Sequence, residues 1–86
     1  MSDADYTYDV LSELYFVTSF SELKSNTEME TKGLIKILLI LHKNGWLRCY
    51  HGIDNEIEGE QVDIQNLFDK YHYLASKDGL FAHNTR

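Results

Sequence analysis

The sequence predicts an α+β fold, three helices followed by a small antiparallel sheet, on three observations. Apolar residues recur at spacings of three and four over the first half of the chain. Two helix-capping signatures begin eight residues apart, at Ser19 and Thr27. Beyond Asn44-Gly45 the pattern changes to aromatic and β-prone residues bounded by turn chemistry. With 86 residues, 43% of them hydrophobic and none of them proline, the chain (residues 1–86) is expected to form one domain around one core.

Helix one is predicted over residues 5–17, where Val10, Leu14 and Val17 share a face with Leu11 and Tyr15 beside it. Asp3, Asp5 and Asp9 suit the positive end of its dipole. Ser19-Phe20-Ser21-Glu22 reads as a capping box that opens helix two. Thr27-Glu28-Met29-Glu30 repeats the signature, which closes helix two near Asn26 and starts helix three within the next few residues. Helix three runs to about Asn44, because Asn44-Gly45 tolerates the left-handed geometry that ends a helix.

Residues 46–50 predict a strand, residues 51–59 a hairpin tip and residues 60–64 its return. Ile64, Leu67, Phe68 and Tyr71 then stand at near-helical spacing, which leaves residues 63–70 open between a helix and a bulged strand. Residues 71–75 predict a further strand, and Ser76-Lys77-Asp78-Gly79 a turn into a short C-terminal segment that frays from Asn84.

Ser21-Glu22-Leu23, Met29, Leu34, Leu38, Leu41 and Gly45-Trp46-Leu47 together resemble the winged helix-turn-helix pattern of small regulators, over roughly residues 8–75. The resemblance implies a third helix presented for recognition, a β-wing beyond it, and a regulatory role.

The charge pattern bears on what such a helix meets. A formal charge of −6 opposes the basic character usual in nucleic-acid binders. Residues 31–53, however, hold no acid, and Lys32, Lys36, Lys43 and Arg48 make that stretch locally basic. With Leu34, Leu38 and Leu41 turned to the core, the groove-facing set is Thr31, Lys32, Ile35, Lys36, Leu39 and Lys43, with Ile40 at the border. Ile35 and Leu39 have no hydrogen bond to offer a base edge. The expected wing, Asp54-Asn55-Glu56-Ile57-Glu58-Gly59-Glu60, carries four acids that phosphates repel.

A small domain cannot enclose an aliphatic helix fully, so its exposed apolar residues predict a contact surface. The expected function is a non-enzymatic regulatory or adaptor module. It binds a protein partner, or self-associates as a homo-oligomer, through helix three, with Ile35, Leu39, Ile40 and Trp46 as anchors and Lys32, Lys36 and Lys43 as a rim for an acidic partner. The alternative is a homodimeric DNA-binding regulator holding phosphates with Thr31, Lys32, Lys36, Lys43 and Arg48.

Other constellations are weaker. Asp54, Glu56, Glu58, Gly59 and Gln65 fall at calcium-loop positions, but with glutamates for shorter acids and Gln65 for the bidentate acid. His42, Cys49 and His51 lack a fourth zinc ligand at diagnostic spacing. No Gly-rich phosphate loop, serine elbow or carboxylate pair on an apolar wall points to catalysis, so neither an enzyme nor a cofactor or metal is expected. The six tyrosines have acidic companions, which favours core packing over base stacking. A single cysteine, the acidic N-terminus and the shortness of the apolar run 37–41 predict a cytoplasmic chain with no membrane association.

Overall fold

The computed structural model describes residues 3–85. In it the Ser19 hydroxyl accepts the Glu22 amide at 3.1 Å, and the Glu22 carboxylate reaches back to the Ser19 amide at 3.4 Å. This capping box opens helix α2 (Phe20–Thr27), which follows helix α1 (Asp3–Ser12) and strand β1 (Thr18–Ser19). Helix α3 (Thr31–Lys43) ends as expected at Gly45, whose φ of +75° is left-handed. The Trp46 amide donates to the Leu41 carbonyl at 2.9 Å and the Gly45 amide to the His42 carbonyl at 3.1 Å, which is a Schellman closure.

Strands β2 (Leu47–His51), β3 (Asn55–Glu56) and β4 (His72–Ala75) complete a four-stranded antiparallel sheet in the order β1-β4-β2-β3. Cys49 faces Tyr73 across β2 and β4, and Thr18 faces Tyr73 across β1 and β4. Leu11, Leu14, Leu23, Leu34, Leu38 and Leu41 meet Tyr73 in the core, all of them sealed from solvent. Among the described residues no helix is long and apolar enough to cross a membrane.

The architecture is α+β, but with five α-helices among the described residues rather than three. Helix α1 stops at Ser12, not at Val17. Its last turn tightens, with Glu13 donating to Val10 and Leu14 to Leu11 at 3.0 Å, and the Leu14 carbonyl is taken by the Ala75 amide of β4 at 2.9 Å. Thr27 does not cap α3, because its hydroxyl donates to the Leu23 carbonyl one turn back. The N-cap of α3 is Glu30, with no side-chain cap.

The expected return strand over residues 60–64 is absent. The hairpin closes early at Asn55–Glu56, and the chain continues through a 3-10 turn (Gly59–Gln61), helix α4 (Ile64–Leu67) and a second 3-10 turn (Phe68–Lys70). Three side chains fix this excursion. Tyr71 accepts the Asp63 amide at 3.0 Å, Tyr73 donates to the Phe68 carbonyl at 2.7 Å, and the Phe68 ring lies 4.7 Å from that of Phe20.

Residues 76–79 do not turn but open helix α5 (Lys77–Thr85), which runs on through Asn84, where fraying was expected. Ser76 caps it, accepting the Gly79 amide at 3.1 Å while donating to the Gly45 carbonyl at 2.7 Å. Gly79 is needed for proximity: a Cβ there would run into the Trp46 carbonyl.

Two glycines in helices therefore respond oppositely to alanine. Gly33→Ala gains up to about 1 kcal/mol from helix propensity, since its Cβ meets only the Met29 methyl at 3.7 Å. Gly79→Ala loses about 1–3 kcal/mol by forcing α5 off Trp46. Urea denaturation of both variants checks the signs, and an unchanged midpoint for Gly79→Ala would contradict the close approach.

Candidate interaction surface on helix α3

Leu34, Ile37, Leu38 and Leu41 give α3 a buried stripe at helical spacing, which turns Lys32, Lys36 and Lys43 outward as an exposed ridge. Ile35, Leu39 and Ile40 flank this ridge and are half-buried, each packed against the core. Helical geometry puts Ile40 on the opposite flank from Ile35 and Leu39. Trp46 is also half-buried, but lies beyond the helix end with its ring 6.4 Å from that of Tyr8. The four expected anchors thus do not form one patch.

Ile35 and Leu39 line a shallow depression of about 370 Å³ with Lys32, Lys36 and Gln65. Its far wall is the excursion, held in place where the ring of His42 meets the Gly59 carbonyl at 3.1 Å. A carbonyl only accepts, so His42 donates from Nε2. On the other flank of the ridge a second hollow of about 400 Å³ is lined by Tyr6, Met29, Glu30 and Gly33, and it too reaches Lys36.

The possible phosphate contacts are divided in the same way. Thr31 is half-buried in the first turn of α3, while the three lysines are exposed. Arg48 stands apart on β2 and is engaged by Glu56, with Nη2 to Oε1 at 2.6 Å and Nε to Oε2 at 3.1 Å. This fork holds the Glu56 carboxyl below its usual range and raises the guanidinium. Asp54, Glu56, Glu58 and Glu60 are all exposed.

Cys49 and His51 do not form a reactive pair. The thiol is buried against Tyr73, and desolvation pushes it up to about 12, whereas the His51 ring sits edge-on to Tyr71 at 5.4 Å. Among the described residues no group of three His, Cys, Asp or Glu side chains is placed to hold a metal ion. Tyr71 and Tyr73 belong to the core and Tyr6 and Tyr8 pack against it.

Two features escaped the sequence. Of the return of residues 57–67 along α3, the near-helical spacing of Ile64, Leu67 and Phe68 had kept a helix open, and α4 is that helix, but scattered Ile57 and Val62 were too few to show a face. The most exposed large apolar residues are Phe16, Ile53 and Phe81 rather than any on α3, and none of the three was singled out by periodicity.

Burial of Cys49 and Tyr73 makes stability fall at alkaline pH. Both groups keep their protons longer in the folded chain, so their contribution is complete below the thiol's ordinary value of 9.0 and is lost as pH rises towards about 12, with the phenol following. The unfolding free energy should be flat from pH 7 to 8.5 and then drop by as much as about 1.4 kcal/mol per pH unit for each group. Stability unchanged at pH 11 would contradict this burial. The chain matches no family model, no curated protein and no solved structure.

Proposed function

We propose that the chain is a non-enzymatic regulatory or adaptor module of winged-helix architecture that binds an acidic protein segment through α3. The architectural part is supported by the order α1-β1-α2-α3-β2-β4 and by β4 lying between β1 and β2. In this reading the excursion over residues 52–70 is an enlarged wing that folds back on the recognition helix.

The observation that carries the binding reading is the depression in which Lys32 and Lys36 frame Ile35 and Leu39. An aliphatic side chain flanked by carboxylates fits it, burying apolar area between two cations. A two-fold pairing of α3 with α3 is disfavoured, since the lysines of each copy would face those of the other. The DNA reading rests on the exposed ridge of Lys32, Lys36 and Lys43, and is disfavoured by the loss of Arg48 to Glu56 and by the acids of the wing.

A photo-crosslinking residue at Gln65, inside the depression, should capture a discrete partner in the cells that make the protein, and one at exposed Ser25 of α2 should not. Lys32→Glu with Lys36→Glu should abolish the Gln65 product. Equal capture from both positions, or from neither, would overturn the reading. Fluorescence anisotropy with labelled mixed-sequence duplex separates the alternative. No binding is expected at low salt, whereas affinity that falls by orders of magnitude as salt is added would establish DNA.

A further inference from the structure

We propose that a groove between α1 and the α2–α3 turn holds a protein segment in which an apolar side chain is flanked by basic ones. The hollow of about 400 Å³ beside Tyr6, Met29 and Gly33 is one end of it. A further hollow of about 280 Å³, which runs on past Asp9 and Glu13, shares Tyr6, Thr27 and Met29 with the first, so the two form one groove. Tyr6, Asp9 and Glu13 follow one another at spacings of three and four, a single line along α1 and its tightened last turn. The facing wall is the turn from Thr27 to Glu30, continued by Gly33 on α3. Tyr6 and Met29 are half-buried against the core and give the groove an apolar floor.

Charge and hydrogen-bonding capacity select the occupant. Asp9, Glu13, Glu28 and Glu30 line the groove, with Lys36 as the cation at its α3 end. The hydroxyls of Ser12 and Thr27, also in the lining, have committed their protons, Ser12 to the Asp9 carbonyl at 2.6 Å and Thr27 to the Leu23 carbonyl at 2.8 Å. Both therefore offer a ligand lone pairs only. Four carboxylates and two accepting hydroxyls call for donors, which lysine and arginine side chains supply without any acceptor. Among the described residues no three such acids converge where a metal ion could sit, so the cation that fits is an extended organic one. The charge of −6 on the whole chain favours the approach of a basic segment for the same reason.

Two backbone positions keep the groove open and charged. Gly33 lies inside α3, where glycine weakens a helix, yet no neighbour requires it, since a Cβ there would meet only the Met29 methyl at 3.7 Å. The space its side chain would take is part of the hollow instead. Glu28 ends α2 at φ +57°, left-handed geometry that suits glycine better, and so keeps a carboxylate in the lining at a strained position. Packing within the chain accounts for neither residue. An apolar side chain entering beside Gly33, with a cation beside Glu28, accounts for both. The groove lies across the α3 ridge from the depression of Ile35 and Leu39 and suits the opposite charge.

Amide NMR of the isotope-labelled chain, titrated with the capped tripeptide Arg-Leu-Arg to about 5 mM, detects a Kd of about 1 mM or tighter and tests this. Saturable shifts should gather at Tyr6, Asp9, Met29 and Gly33 and spare Gln65 of the other depression, and the affinity should fall as salt is added. Capped Arg-Gly-Arg and spermine, which carry charge without the apolar side chain, should bind about tenfold more weakly. Glu28→Gly combined with Glu30→Gln should weaken Arg-Leu-Arg by about tenfold. Gly33→Leu, which fills the hollow and removes no charge, should abolish its shifts. Neither variant should lower the thermal midpoint, since glycine relieves the left-handed strain and leucine strengthens the helix. The absence of saturable shifts in the wild-type chain overturns the proposal, as do shifts spread equally over the acids of residues 54–60, spermine binding as tight as that of Arg-Leu-Arg, or undiminished binding by either folded variant. The acidic tripeptide Glu-Leu-Glu, read at Gln65, reports on the α3 depression separately, so either surface can fail without the other.

Discussion

The structure depends on β4 sitting inside the sheet. The strand is only four residues long, yet it pairs with β1 on one side and β2 on the other, so three separated segments close on one another through it. Its side chains make it more than a spacer. Tyr73 is fully buried at the level where Thr18 and Cys49 oppose it, and its hydroxyl holds the Phe68 carbonyl while Tyr71 holds the Asp63 amide. A buried carbonyl deprived of that partner costs about 1–3 kcal/mol. The two tyrosines therefore fix the path of the excursion, and that path puts Gln65 beside Ile35 and Leu39. The geometry of the α3 depression is thus a consequence of the sheet.

Electrostatics then separates the partners this helix can meet. The lysines of α3 lie on a ridge, and the acids of residues 54–60 lie on the segment that walls one flank. A duplex is a rod with a charge roughly every 1.7 Å along its axis, so in the proposed reading it meets the acids of the wing as well as the ridge. A short peptide has a footprint small enough to place its carboxylates on Lys32 and Lys36 alone. The same distribution that penalises a polyanion is compatible with a discrete acidic segment.

Local signals were legible in the sequence wherever one or two residues decide the geometry. Ser19 with Glu22, and Gly45 after Asn44, marked α2 and the end of α3 because capping is a property of a few adjacent residues. The central strand over residues 71–75 was legible from its aromatic pattern. One local signal failed, at Thr27, whose hydroxyl turns back to the Leu23 carbonyl; the other failures were decided by distant residues. Helix α1 stops early because Ala75 claims the Leu14 carbonyl, and Ser76 caps a helix rather than turning because its hydroxyl is anchored to the Gly45 carbonyl. Gly79 resembles a turn glycine in sequence, but its role is set by Trp46, thirty-three positions earlier. For the candidate site, the lysine ridge and the inward Leu34, Leu38 and Leu41 followed from periodicity. The split between Ile35 and Leu39 on one flank and Ile40 on the other needed the neighbours that cover each.

Trp46 has a different position from the other expected anchors. It follows the Schellman closure of α3, accepts the Ser76 amide at its carbonyl, and lies directly under Gly79 of α5. It is therefore the joint between the helix that carries the lysine ridge and the helix that carries Phe81. The backbone contact is tight and the Ser76 bonds bridge the same corner, so the two helices are held in fixed relation.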